Sequence, residues 1–111
     1  MSKGKSRERT ARREAERDAM RARLDAARAR ERVERLSAGG AADWPITVES
    51  SVLIERRAQA LPCVHCNGAL EVIAHDTAVV DDARRRIVET KCRACGARRK
   101  LWFAIVEPLE N

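Results

Sequence analysis

A chain of 111 residues that is 44% hydrophobic, much of it alanine, with only Trp44, Trp102 and Phe103 as aromatics, has the length of one small domain and cannot build a large packed core. Its 23 Lys and Arg against 17 Asp and Glu give a formal net charge of +6, and no stretch approaches the roughly 20 apolar residues of a membrane span. The basic start MSKGKSRERTARREAER lacks a signal-type apolar run, and Glu8, Glu14, Glu16 and Asp18 argue against an acid-poor transit peptide, so the expected compartment is the cytoplasm.

The charge is uneven. Residues 1–40 hold 13 Lys or Arg against 7 Asp or Glu, whereas residues 41–111 hold 10 against 10. The first third is rich in Ala, Arg and Glu and has no proline, which predicts one helix over about residues 7–37, closed by Gly39 and Gly40. Ala15, Ala19, Ala22, Ala26, Ala29, Val33 and Leu36 recur at alternating steps of four and three, a shallow heptad seam. At 100° per residue, Arg13, Arg17, Arg21, Arg28 and Arg35 fall in a separate arc of about 80°. Such a helix suits three roles: a solvated, ion-paired helix with pairs such as Glu8–Arg12 and Glu31–Arg35, weak self-association or partner docking through the seam, or contact through the arginine stripe.

Residues 39–51 read as a linker leading into an extended segment, since Trp44 precedes Pro45 and is biased away from helix. Residues 52–60 fit two patterns: Val52 and Ile54 alternate as in a strand, while Ile54, Ala58 and Leu61 fit helical spacing. The strand reading is the one adopted here. Three further strands are expected at 69–75, 85–91 and 97–107, with Asp81 and Asp82 in the connection between the first two of these. Leu70, Val72 and Ala74 would share one face, and Leu101, Phe103 and Ile105 another. The expected fold is small α+β, a charged helix over 1–38 and an antiparallel β domain over 52–111.

All four cysteines stand in two pairs, Cys63-Val-His-Cys66-Asn-Gly and Cys92-Arg-Ala-Cys95-Gly, with 25 residues between Cys66 and Cys92. Two residues between cysteines let a tight turn aim both thiolates at one ion, and four thiolates at about 2.3 Å complete a tetrahedral Zn²⁺ site. The domain therefore resembles the zinc-ribbon superfamily, whose signature is paired CxxCG-type knuckles at the tips of short hairpins. The resemblance covers about residues 52–107 and implies Cys63, Cys66, Cys92 and Cys95 as ligands of one zinc per chain. The first knuckle departs from the pattern by inserting Asn67 before Gly68, a small lengthening that leaves the ligand spacing intact. Iron in a rubredoxin-like site is the second choice of metal, although the aromatic-rich core of such proteins is lacking. CVHC also resembles the CxHC of disulfide isomerases, but a strand rather than a helix follows it.

His65 and His75 are expected to lie outside the ligand set, the first exposed or beside the metal site, the second on the surface. Arg84, Arg85, Arg86, Lys91, Arg93, Arg98, Arg99 and Lys100 crowd the second cysteine pair, where cations stabilise a zinc–tetrathiolate centre of net charge 2−. Strand alternation puts Arg98, Lys100 and Trp102 together on an outward face, a candidate surface for phosphates and a stacked base. No Ser/His/Asp set, carboxylate pair or phosphate loop is visible, so neither an enzyme nor a small-molecule substrate is expected. The leading function is a zinc-binding, non-catalytic module that contacts nucleic acid or a ribonucleoprotein. The alternatives are a protein-interaction adaptor using the N-terminal helix and a thiol redox or metal-sensing switch.

Overall fold

The structure, a computed structural model, describes residues 3–107. The elements in chain order are α1 (Lys3–Leu36), β1 (Ile46–Val48), α2 (Val52–Ala60), β2 (Leu70–Val80), β3 (Ala83–Cys92) and β4 (Arg98–Ile105). The chain divides into two compact units, Met1–Arg32 and Val33–Asn111.

The first unit is helix alone, and the described side chains on it are exposed. Arg13, Arg17, Arg21 and Arg28 are all open to solvent, as are Met20 and Leu24 on the same side. The expected ion pairs Glu8–Arg12 and Glu31–Arg35 are not formed among the described residues; Arg21 meets Asp18 at 4.0 Å instead. That exposed pair contributes at most a few tenths of a kcal/mol. Among the described residues no helix is long and apolar enough to cross a membrane.

The second unit begins with the last turn of α1, where Ser37 N–H donates to Val33 O at 3.1 Å and Gly39 takes φ 78°. Its four strands form one sheet in the order β1-β4-β3-β2. The sheet is mixed, not antiparallel throughout as expected: β1 runs parallel to β4, with Ile46 opposite Phe103 and Val48 opposite Ile105. Parallel neighbours need a long crossover, and here the connection from β1 to β4 holds α2, β2 and β3. β2 and β3 are joined by a two-residue hairpin in which Asp81 and Asp82 both take positive φ, 51° and 64°, the type I′ geometry that matches strand twist.

Residues 52–60 are a helix, which overturns the strand expectation. Ile54 and Ala58, one helical turn apart, are completely buried, whereas Val52 is exposed. With Ile46, Val48, Val88, Leu101 and Phe103 they make the main core, and Leu61 and Val72 pack against it. Each fully buried large side chain contributes about 1.5–3 kcal/mol. The set is small. Leu61 also packs against a second cluster of Cys63, Leu70 and Cys92, so the core continues into the cysteine region.

Two face assignments change. A register shift lies between Val72 and Ala74, so Val72 stands opposite Thr90 but Ala74 stands opposite Glu89, on the other side of the sheet. The bulge moves His75 opposite Val88 on the core side, where its Nε2 is buried without a partner; the expected surface position is not observed. Ile105, expected in the core with Leu101 and Phe103, is 42% exposed because it ends β4, where the burial of this face stops.

Candidate metal centre

The two cysteine pairs close turns of the same design. Asn67 N–H donates to Cys63 O at 2.8 Å and Gly96 N–H to Cys92 O at 2.9 Å; Cys63 N–H donates to Gly68 O and Cys92 N–H to Ala97 O, both at 2.9 Å. Counted from the first cysteine of each pair, these partners occupy the same positions. Asn67, with φ 64°, therefore stands where Gly96 stands with φ 74°, and it is no insertion. Asparagine tolerates the left-handed conformation better than most side chains, so the turn survives without glycine there. Gly68 has a different task. A Cβ on it would lie 2.8 Å from Ala94 Cβ, 2.9 Å from Cys92 Sγ and 3.2 Å from Cys66 Sγ, so glycine lets the two knuckles meet.

The turns bring all four sulfurs within 4.8 Å of one another, and no fifth donor belongs to the cluster among the described residues. Cys63 Sγ and Cys95 Sγ are 3.8 Å apart, and Cys66 Sγ and Cys92 Sγ 3.4 Å. Sulfurs about 2.3 Å from a central ion occupy tetrahedral corners about 3.8 Å apart, so the donors fit a four-coordinate metal. Cys63 and Cys92 are buried, Cys66 and Cys95 exposed. His65, expected exposed or beside the site, is partly buried beside it: its N–H donates to Cys63 Sγ at 3.4 Å, and its Nε2 is 2.8 Å from Glu34 Oε1.

The sulfurs are electrostatically unequal. The backbone N–H groups of Cys95 and Ala94 help lower the Cys92 thiol to about 6, with Cys95 the larger influence. Sharing a proton with Cys92 pushes Cys66 up to about 12, against the backbone donor at Gly68. One sulfur is thus prepared as a thiolate, the state a metal requires.

The contact residues expected from sequence fall on two surfaces. Arg13, Arg17, Arg21 and Arg28 lie on the N-terminal unit, and Arg35 lies exposed on the last turn of α1. Arg98 and Lys100 are exposed on β4, and Trp102 is half-buried, its backbone N–H donating to Gly39 O at 2.7 Å. Arg98 lies 3.9 Å from Glu89, and Arg93 lies 3.6 Å from Glu71. Arg99, from the same basic run, is buried. Its position follows from the alternation that buries Leu101 and Phe103. The pairing of Glu34 with His65, 31 residues apart, left no local signal.

Fold and site define a small α+β chain with a four-cysteine cluster able to bind a metal ion. Comparison with protein-family models, curated proteins and solved structures gives no match.

Proposed function

We propose that the chain is a non-catalytic binding module of zinc-ribbon type, stapled by one Zn²⁺ on Cys63, Cys66, Cys92 and Cys95, and that it contacts nucleic acid through basic surfaces. The observation that carries the reading is the meeting of four sulfurs from two turns of identical hydrogen bonding. Zinc is the metal such thiolate sets take as a structural ion, and four protein ligands leave no open position for substrate or water. A core this small gains on the order of 10 kcal/mol from such a site.

Support for nucleic acid comes from Arg98, Lys100 and Trp102 on successive outward positions of β4, with the exposed arginines of α1. The pairs Arg98–Glu89 and Arg93–Glu71 are loose and exposed, worth under about 1 kcal/mol, so a phosphate can displace the carboxylates.

Metal analysis should give one zinc per chain. Binding to labelled single-stranded and duplex oligonucleotides, measured by anisotropy against salt, tests the rest. Trp102→Ala should cost about 1–3 kcal/mol on single strands. Changing Arg17, Arg21 and Arg28 together to Gln should flatten the slope of log affinity against log salt by about two. Absence of zinc would refute the metal reading. Absence of affinity at about 50 mM salt would replace nucleic acid by a protein partner docked on α1.

A further inference from the structure

Arg99 is only 8% exposed, the one buried cation among the described residues. Its Nη2 donates to Glu34 O at 3.0 Å, a carbonyl in the last turn of α1, and to Ala38 O at 3.5 Å, just past the helix. Its Nε is buried and has no partner. Burial lowers the pKa of this guanidinium, and the charges of Glu34 and Cys63 oppose that loss. A hydrogen-bonded path joins this helix turn to Cys63. Glu34 Oε1 meets His65 Nε2 at 2.8 Å with both side chains largely covered, at 15% and 28% exposure for His65 and Glu34, and His65 N–H donates to Cys63 Sγ.

We propose that Arg99 and Glu34 are positioning residues of the metal centre: Arg99 offsets the negative charge of the thiolates while gripping the last turn of α1, and Glu34 fixes His65 within the first knuckle. Metal loading and the anchoring of Val33–Leu36 are then coupled. The inference rests on the zinc reading above. A centre of four thiolates and one Zn²⁺ carries 2−, and a cation in its low-dielectric surroundings stabilises it far more than a solvated one can. Coupling of two equilibria is reciprocal: whatever factor the anchored turn adds to metal affinity, the metal adds to anchoring.

The test uses the full chain with Arg99→Gln, Arg99→Lys and Glu34→Gln. Zinc affinity is read by chelator competition, the Co²⁺-loaded protein by its sulfur-to-metal charge-transfer bands, and anchoring by amide exchange in the zinc-loaded state. Arg99→Gln should weaken zinc about 10- to 100-fold. It should also move the Co²⁺ bands to longer wavelength, because losing the cation raises the energy of the sulfur electrons. Arg99→Lys should restore the bands and most of the affinity, since the charge returns. It should not restore slow exchange at Ser37 and Gly40, since an ammonium cannot reproduce the guanidinium's fixed reach to both carbonyls. Glu34→Gln should speed exchange at Ser37 while Val88 and Leu101 stay protected.

With Arg99→Gln folded, affinity within twofold of the unsubstituted chain and unshifted bands would overturn the inference while leaving the zinc reading intact. If Arg99→Gln fails to fold, exchange decides: faster exchange at Ser37 in Arg99→Lys and Glu34→Gln supports the inference, and exchange as slow as in the unsubstituted chain in both overturns it. An unsubstituted chain that takes up neither Zn²⁺ nor Co²⁺ would overturn both.

Discussion

Gly68→Ala is the sharpest test of how the two knuckles meet. The new methyl would enter a space bounded by Ala94 Cβ at 2.8 Å and by two ligand sulfurs, Cys92 at 2.9 Å and Cys66 at 3.2 Å. Ordinary van der Waals contact needs at least about 3.4 Å, so these neighbours must retreat by a few tenths of an ångström to more than half an ångström. Two of them would be tied to a bound metal and could not then retreat without distorting its tetrahedron. Overpacking of this kind costs about 1–3 kcal/mol, which corresponds to a loss in zinc affinity of about 5- to 150-fold. Gly96→Ala is the control: its Cβ would meet nothing within 4 Å, and only the left-handed backbone at φ 74° resists it, by about 1–2 kcal/mol. Gly96→Asn should recover most of that, as Asn67 does in the first knuckle. Competition with a chromophoric chelator measures all three. If Gly68→Ala held zinc as tightly as the unsubstituted chain, the close approach of the knuckles would be wrong. If Gly96→Asn were as weak as Gly96→Ala, so would be the equivalence of Asn67 and Gly96.

A chain starting at Val33 should unfold in urea, with zinc present, at nearly the same midpoint as the full protein. One starting at Ala41 should lose about 1–3 kcal/mol or more, because it leaves Arg99 without the carbonyls of Glu34 and Ala38. The pH dependence of zinc binding should steepen on acidification through about 6. Cys92 is lowered from 9.0 to about 6, so it is already a thiolate above that value and binding displaces at most three protons; below it a fourth must leave. The same depression stabilises the metal-free fold fully above about pH 9 and is lost as pH falls through 6, whereas the raised Cys66 stabilises it below about 9 and loses that contribution toward 12. An affinity profile of constant slope from pH 5 to 8 would refute this ordering. Ala58→Leu should destabilise the fold by about 1–3 kcal/mol in the same urea assay, since Ala58 is completely buried beneath α2. An unchanged midpoint would contradict that packing.

What the sequence made legible was local. Each knuckle is written in six residues, and the helix over the first third follows from composition and the two glycines after it. Alternation likewise places Asp81 and Asp82 in the connection between β2 and β3, but not the two-residue turn or the reach of β2 to Val80. Misread elements depended on partners far along the chain. Ile54, Ala58 and Leu61 satisfy a helical stripe, but Val52 and Ile54 also alternate, and only the core of β1, β3 and β4 decides which pattern is buried. The parallel pairing of Ile46 with Phe103 joins residues on opposite sides of the cysteine motifs. The bulge after Val72 reverses the faces of Ala74 and His75 with no proline or glycine to mark it. Arg99 is the instructive case. Alternation with Leu101 and Phe103 places it inward, and its charge argues against burial. Burial is tolerated where the Glu34 and Ala38 carbonyls meet the guanidinium and the charges of Glu34 and Cys63 favour its charged form.

That arrangement bears on how the proposed nucleic-acid contact would divide its energy. Four thiolates and one Zn²⁺ reduce the formal +6 of the chain to +4, and the balanced charges of residues 41–111 become a net of −2. Long-range attraction to phosphate must then arise from residues 1–40, where basic residues outnumber acidic ones by 13 to 7. Arg98, Lys100 and Trp102 work at contact distance, where stacking and hydrogen bonding outweigh net charge. The helix would accordingly govern salt dependence and rate of encounter, and the sheet the preference for unpaired bases. Glu34 and Arg99 both lie within the second unit, with Arg99 turned away from the outward face of β4, so the proposed anchoring of the turn at Glu34 leaves Arg98, Lys100 and Trp102 free.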